Sequence, residues 1–146
     1  MSLVRRLDHV AILVRSTEEA LRFYEGHLGI RVHSSEELAS PHVRLTYLDV
    51  GNAYLQLLEP LDDASPLAAE LDDHGEGLHH ICFAVDEVGE AVSELSDPGS
   101  SVVLGNGRGR VSSFVSASRS HGVRIECTEF DRELDVDAMP GWLREP

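Results

Sequence analysis

Four residues in this chain combine types and spacings that suit chelation of a divalent cation. Leu7-Asp8-His9-Val10-Ala11-Ile12-Leu13-Val14 lines up without gaps on Leu78-His79-His80-Ile81-Cys82-Phe83-Ala84-Val85, which sets His9 on His80. Further along, Tyr54-Leu55-Gln56-Leu57-Leu58 lines up on Arg124-Ile125-Glu126-Cys127-Thr128, which sets Gln56 on Glu126. The interval from His9 to Gln56 differs by one residue from that between His80 and Glu126. One histidine on a strand is more often a hydrogen-bonded core or rim residue than a ligand. Matched polar residues at two positions in both halves of a chain are a different matter. Two imidazoles, an amide oxygen and a carboxylate make a mixed nitrogen/oxygen site for Mn, Co, Ni, Fe or Zn, and Mg is less natural with two histidines. In an octahedral ion they leave two positions for neighbouring oxygens of a substrate. His79 competes with His80 as the ligand, and both the repeat and the strand face favour His80. His27, His33, His42, His74 and His121 read as solvent-facing.

The elements that must position these groups follow from hydrophobic periodicity. Leu7–Val14 alternates as a strand. Ser16 or Thr17 caps a helix, with Glu19 as a capping-box partner, an apolar stripe of Ala20, Leu21, Phe23, Tyr24 and Leu28, and Gly29 as its stop. Strands are predicted at Ile30–Ser34, Val43–Val50 and Ala53–Leu58, and a short helix at Ser65–Leu71. The pattern then repeats with a strand at Leu78–Val85, a helix from Asp86 to Leu95, and strands at Ser101–Leu104, Val111–Ala117 and Val123–Thr128. This reads as an α+β fold of two tandem βαβββ modules, about 5–60 and 76–130, joined by a connector at 61–75. Residues 1–130 form a single domain, and 131–146 are a tail of undetermined structure. Because strand side chains alternate faces, Val10, Ile12 and Val14 should pack on helices while His9, Ala11 and Leu13 take the other face. Two curved modules paired through their first strands would form a mixed sheet around a metal cavity holding all four residues.

Composition narrows the function. The chain has 146 residues and a net charge of −14, the wrong sign for neutralising nucleic-acid phosphates or docking on an anionic membrane. It has no apolar run of the roughly 20 residues that a membrane-spanning helix needs. Cys82 and Cys127 lie in apolar alternating segments without CxxC spacing, so they read as buried, inert thiols in a reducing compartment. The expectation is a cytoplasmic protein with a small-molecule substrate.

The sequence resembles the vicinal oxygen chelate superfamily, which contains glyoxalase I, extradiol dioxygenases and methylmalonyl-CoA epimerase. Within it, the epimerases are the nearest in pattern. The resemblance is carried by Leu7-Asp8-His9-Val10-Ala11, Glu19-Ala20, Phe23-Tyr24, Leu28-Gly29, Gln56-Leu57-Leu58-Glu59-Pro60, Ser65-Pro66-Leu67-Ala68 and Gly75-Glu76-Gly77-Leu78-His79-His80-Ile81. It implies a divalent metal on His9, Gln56, His80 and Glu126, and abstraction and return of the α-proton of a methylmalonyl-type acyl-CoA through a chelated enolate. Glu126 would be both ligand and acid/base. It also implies a homodimer, which exposed sheet edges favour.

The chain departs from that pattern at Ser40, where the epimerases carry a second glutamate. A serine hydroxyl is a poor base without an activating partner. Glu37 is assigned the role, with Glu36 and His42 as the other groups within reach, unless all three are ordinary solvated side chains. Arg108 and Arg110 interrupt the glycine-rich segment and could meet coenzyme A phosphates, or lie on the surface. Two other readings remain open: a glyoxalase-type lyase or isomerase on another dicarbonyl or thiol adduct, and a metal-free binding protein of the resistance type. Only 5% of the residues are aromatic, which suits the second poorly.

Overall fold

The alternating run that opens the chain forms β1 (Val4–Leu13), and Ser16 then caps α1 (Thr17–Leu21) by accepting the Glu19 N–H at 3.2 Å. The computed structural model describes residues 3–39, 41–95, 112–115 and 119–129. From Arg22 to His27 the helix continues as a π-helical turn, with the Leu28 N–H bonded to the Phe23 carbonyl. That winding advances less per residue than the 3.6-residue turn the apolar stripe assumed. Ala20, Leu21 and Tyr24 reach the core, whereas Phe23 and Leu28 are exposed. Gly29 ends the segment at φ +73°, a left-handed conformation that favours glycine.

The remaining elements are β2 (Arg31–Ala39), β3 (His42–Asp49), β4 (Tyr54–Pro60), α2 (Pro66–His74), β5 (Gly77–Val85), α3 (Val88–Leu95), β6 (Ser112–Val115) and β7 (Ile125–Glu129). Among the described residues they form the mixed α+β architecture read from the sequence, with hydrogen-bonded strand order β2-β3-β4-β1-β5-β7-β6. The segments read as a strand at 101–104, a glycine-rich loop at 105–109 and a tail at 131–146 lie outside the described residues, as do Ser40, Arg108 and Arg110. No helix among the described residues is long and apolar enough to cross a membrane.

The chain divides into two compact units, with the boundaries falling at the two histidines. One contains residues up to His9 and from His80 onward, and the other runs from Val10 to His79. In the Val10–His79 unit, β2, β3 and β4 are antiparallel neighbours. Val14, Leu48 and Leu57 form its core against Ile12, Ala20, Leu21, Tyr24, Ile30 and Leu55. The β-branched face of the first strand therefore packs on α1, as its alternation predicts. β2 is longer than the predicted Ile30–Ser34 strand and carries a bulge at His33, because Val32 pairs with Leu48 while Ser34 pairs with Tyr47. A bulge inserts one residue and so reverses which side chains face which way beyond it.

In the other unit, β7 runs parallel to β5 and antiparallel to β6. Val85 and Cys127 pack on Val88 and Ala91 of α3, with Leu3, Val92, Leu95 and Ile125 around them. Both cysteines are free thiols and buried. Leu57 is fully buried beneath α1. Leu57→Ala should lower stability by about 2–5 kcal/mol, seen as a lower urea midpoint at unchanged slope; an unaltered midpoint would contradict this packing.

Candidate metal centre

With α3 covering one face of β5 and β7, the opposite face carries the polar residues of interest. His80, Cys82 and Ala84 alternate along β5, and the parallel register sets Glu126 beside Cys82, on the same face as His80. Phe114 lies opposite Glu126 on β6 and meets the His80 ring edge-on at 5.3 Å between centroids. His9 enters from β1. Its Nε2 lies 3.2 Å from His80 Nε2 and 3.1 Å from Glu126 Oε1, and His80 Nε2 lies 3.4 Å from that same oxygen. Three potential donor atoms thus form a compact triangle. His9 is 2% and His80 6% exposed, so neither competes freely with bulk water.

A fourth group fixes the orientation. His9 Nδ1 donates to Asp8 Oδ2 at 2.6 Å, with Asp8 fully buried. A proton held at Nδ1 leaves Nε2 as the atom that meets an electrophile. Imidazoles that bind metals usually donate their second N–H to a carboxylate in this way. Asp8 is not among the residues that the sequence assigns to the site. The repeat hid it, because its counterpart in the second half is His79, which pairs instead with Glu70 at 3.3 Å.

The charges follow from these contacts. Burial opposes ionisation of Glu126, but hydrogen bonds from His80 and His9 and their charge outweigh it, holding the carboxyl far below the usual carboxylate range. Burial also disfavours a charged His9, yet Asp8 and Glu126 together raise its pKa above the ordinary 6.5. For His80 burial prevails over Glu126, and the imidazole is pushed toward its neutral form. An anionic oxygen and a neutral imidazole are the states in which these groups bind metal.

The donor set fits a divalent ion. Ligand atoms about 2.0–2.2 Å from one ion at octahedral or tetrahedral angles stand about 2.8–3.6 Å apart, and the observed separations are 3.1–3.4 Å. In the other unit Gln56 is buried on β4, its amide Nε2 donating at 2.7 Å to the hydroxyl of Tyr47, the residue opposite it on β3. Its buried carbonyl oxygen has no hydrogen-bond partner among the described residues. An amide held by its nitrogen, with its oxygen unsatisfied, is suited to ligate a cation. A second group, Asp8, His9 and Cys82, also brings ligand atoms within 4.8 Å of one another.

Of the sequence-assigned residues, His9, His80 and Glu126 come together, and Gln56 and Glu37 belong to the Val10–His79 unit. Glu37 is exposed on β2 and clamped by Arg44, whose Nη2 donates to Glu37 Oε1 at 2.8 Å. That bond and the Arg44 charge hold the Glu37 carboxyl below its usual range, and the His42 imidazole lies 3.8 Å away. Arg44 also reaches Glu59, whose Oε1 accepts the Thr17 N–H at the start of α1. The five other histidines expected at the surface are all exposed.

Residues 8–127 match the glyoxalase/bleomycin resistance protein/dioxygenase superfamily. The chain is 40% identical over 91 residues to human mitochondrial methylmalonyl-CoA epimerase, a match that covers 62% of this chain and 52% of that one. It thus spans about half the length of the human protein. It is 33% identical over 110 residues to the ethylmalonyl-CoA/methylmalonyl-CoA epimerase of Cereibacter sphaeroides, covering 75% of this chain and 81% of that protein. The solved structure of a glutamate-to-glutamine variant of Streptomyces coelicolor methylmalonyl-CoA epimerase in complex with 2-nitronate-propionyl-CoA superposes with a TM-score of 0.79 at 29% identity, covering 86% of this chain and 97% of that one.

Two outcomes test the centre. Asp8→Asn should weaken zinc or cobalt binding by about 10–100-fold without unfolding the protein; affinity equal to that of the parent would contradict the orienting bond. Protons compete with metal for His9, so affinity measured against a competing chelator should fall from about pH 8 to about pH 6. The fall begins above His9's ordinary 6.5 because its pKa is raised. Glu126, depressed, stays ionised throughout and contributes none of that loss.

Proposed function

From membership of the glyoxalase/bleomycin resistance protein/dioxygenase superfamily, to which this chain belongs, we propose an isomerase of the methylmalonyl-CoA epimerase type. The observation that carries this reading is the convergence of two imidazole nitrogens and one Glu126 oxygen within 3.1–3.4 Å. It occurs in a chain 33–40% identical to proteins named as epimerases of this kind. His9, His80 and Glu126 would hold the ion. Bound there, a divalent cation supplies Lewis-acid stabilisation of the negative charge that develops on a thioester oxygen when the neighbouring carbon loses its proton.

The chain's own groups do the rest. Asp8 keeps the His9 proton on Nδ1, and Tyr47 keeps the Gln56 oxygen from rotating away. Burial of the histidines excludes water, which strengthens each electrostatic contact. Glu126 is ionised at neutral pH, and because both imidazoles approach its Oε1, proton transfer falls to Oε2. The substrate class, an acyl-CoA with a carboxyl group on the carbon next to the thioester, would offer such an ion two neighbouring oxygens.

The test is α-proton exchange. Cobalt-loaded protein incubated with methylmalonyl-CoA in heavy water should incorporate deuterium at the α-carbon at least about 100-fold faster than metal-stripped protein. Absence of incorporation, with cobalt demonstrably bound, would overturn the proposal in favour of a lyase or isomerase acting on another dicarbonyl.

A further inference from the structure

We propose that Phe114 sets the size of the α-substituent this site accepts, a role that rests on the isomerase reading above. It admits a methyl group and turns away longer chains. Malonyl-type thioesters differ from one another only in the chain on the α-carbon. An ion that meets their oxygens, or a surface that meets coenzyme A, finds the same atoms in each. Selection among them must come from the wall that the α-substituent touches. Strand register in the unit that holds His80 and Glu126 identifies that wall.

Phe114 on β6 pairs with Glu126 on β7, and Glu126 pairs with Cys82 on β5. Paired residues share a face of the sheet, and alternate residues along a strand keep it. Phe114, Glu126 and His80 therefore rise from one face, while Val85 and Cys127 take the face that packs on α3. Their neighbours on the first face, Cys82, Ala84, Ser112 and Thr128, are small. Among the described residues, Phe114 is the one large apolar side chain of this unit on that face of β5, β6 and β7. β5 and β6 are not neighbours; β7 lies between them, so their backbones stand two strand spacings, about 9.6 Å, apart. Yet the Phe114 and His80 ring centroids are 5.3 Å apart, with the rings at 86°. The two side chains therefore lean toward each other over β7, along the row that carries Glu126. The Phe114 ring is half-buried, which leaves part of its surface for a ligand to meet.

Opposed residues on antiparallel strands keep their Cβ atoms about 4.5–5.5 Å apart. A carbon that gives its proton to the ionised Glu126 must approach the carboxylate to about 3–3.5 Å. The substituent on that carbon then comes within van der Waals reach of the Phe114 ring. A methyl group fits against the ring, whereas a longer chain has to displace it. The ring cannot yield without giving up its edge-on contact with His80, so the boundary is firm. Each methylene that an apolar pocket must refuse is worth roughly 10–200-fold in discrimination. A residue that only propped the His80 ring would act on every substrate alike, and that difference separates the two roles.

Cobalt-loaded wild type, Phe114→Ala and Phe114→Leu would each be assayed on methylmalonyl-CoA and butylmalonyl-CoA by α-proton exchange in heavy water. Calorimetry would give the dissociation constants of both thioesters. Wild type should favour the methyl substrate in kcat/KM by at least about 100-fold. Phe114→Ala should narrow that ratio by at least about 10-fold, chiefly by gaining activity on butylmalonyl-CoA, at unchanged cobalt content. It should also bind butylmalonyl-CoA more tightly than wild type does, and Phe114→Leu should fall between the two. Equal loss on both substrates, with the ratio left where it was, would overturn the assignment. So would a wild type that exchanges both substrates equally well. Loss of cobalt or of folding in both variants would overturn it too, by making the residue structural. A wild type that holds cobalt and exchanges neither substrate would bring down the isomerase reading and this role together.

Discussion

The arrangement depends on how buried ionisable groups are neutralised. Asp8 is bonded to His9, and His9, His80 and Glu126 lie within 3.1–3.4 Å of one another, with Asp8 and both histidines buried and Glu126 partly so. Desolvating a carboxylate is costly unless a partner compensates it. Two imidazoles provide that compensation for Glu126, and their hydrogen bonds hold its carboxyl below the usual carboxylate range. Such a cluster gains little for folding over a well-packed apolar one. Its atoms converge on a point where one cation would satisfy three of them at once, and that convergence gives the burial a chemical purpose.

The rest of the fold serves this constraint by controlling faces. An amphipathic α3 covers Val85 and Cys127, so the alternate residues His80 and Glu126 emerge together on the other side. In the Val10–His79 unit α1 covers Leu48 and Leu57, so Tyr47 and Gln56 emerge together in the same way. Each module therefore uses a helix to select which face of its strands is polar. The Arg44 network connecting Glu37, Glu59 and the start of α1 belongs to the helix side and reads as structural, binding β2, β3 and β4 to α1.

The strands that carry His9, Gln56, His80 and Glu126 were legible because alternation and an internal repeat both survive in the residue types. What escaped reading was the part that does not repeat or alternate. The counterpart of Asp8 in the second half is His79, a residue of another type, so the repeat carries no sign of the bond from His9 to Asp8. The π-helical turn after α1 left Phe23 and Leu28 exposed where an α-helical period would have buried them. The bulge at His33 reversed Glu36 and Glu37, and nothing in the run Val32-His33-Ser34-Ser35 announces an extra residue. Local backbone irregularity decides each of these, and hydrophobic pattern constrains it only weakly.

The central claim is that one divalent ion is held by His9, His80 and Glu126, and X-ray absorption at the zinc edge of the zinc-loaded protein tests it most directly. The account expects a first shell of nitrogen and oxygen alone at about 2.0–2.2 Å, with the outer-shell scattering of two imidazoles. A sulfur shell at about 2.3 Å with a single imidazole would contradict it, and would put the ion on Asp8, His9 and Cys82 instead.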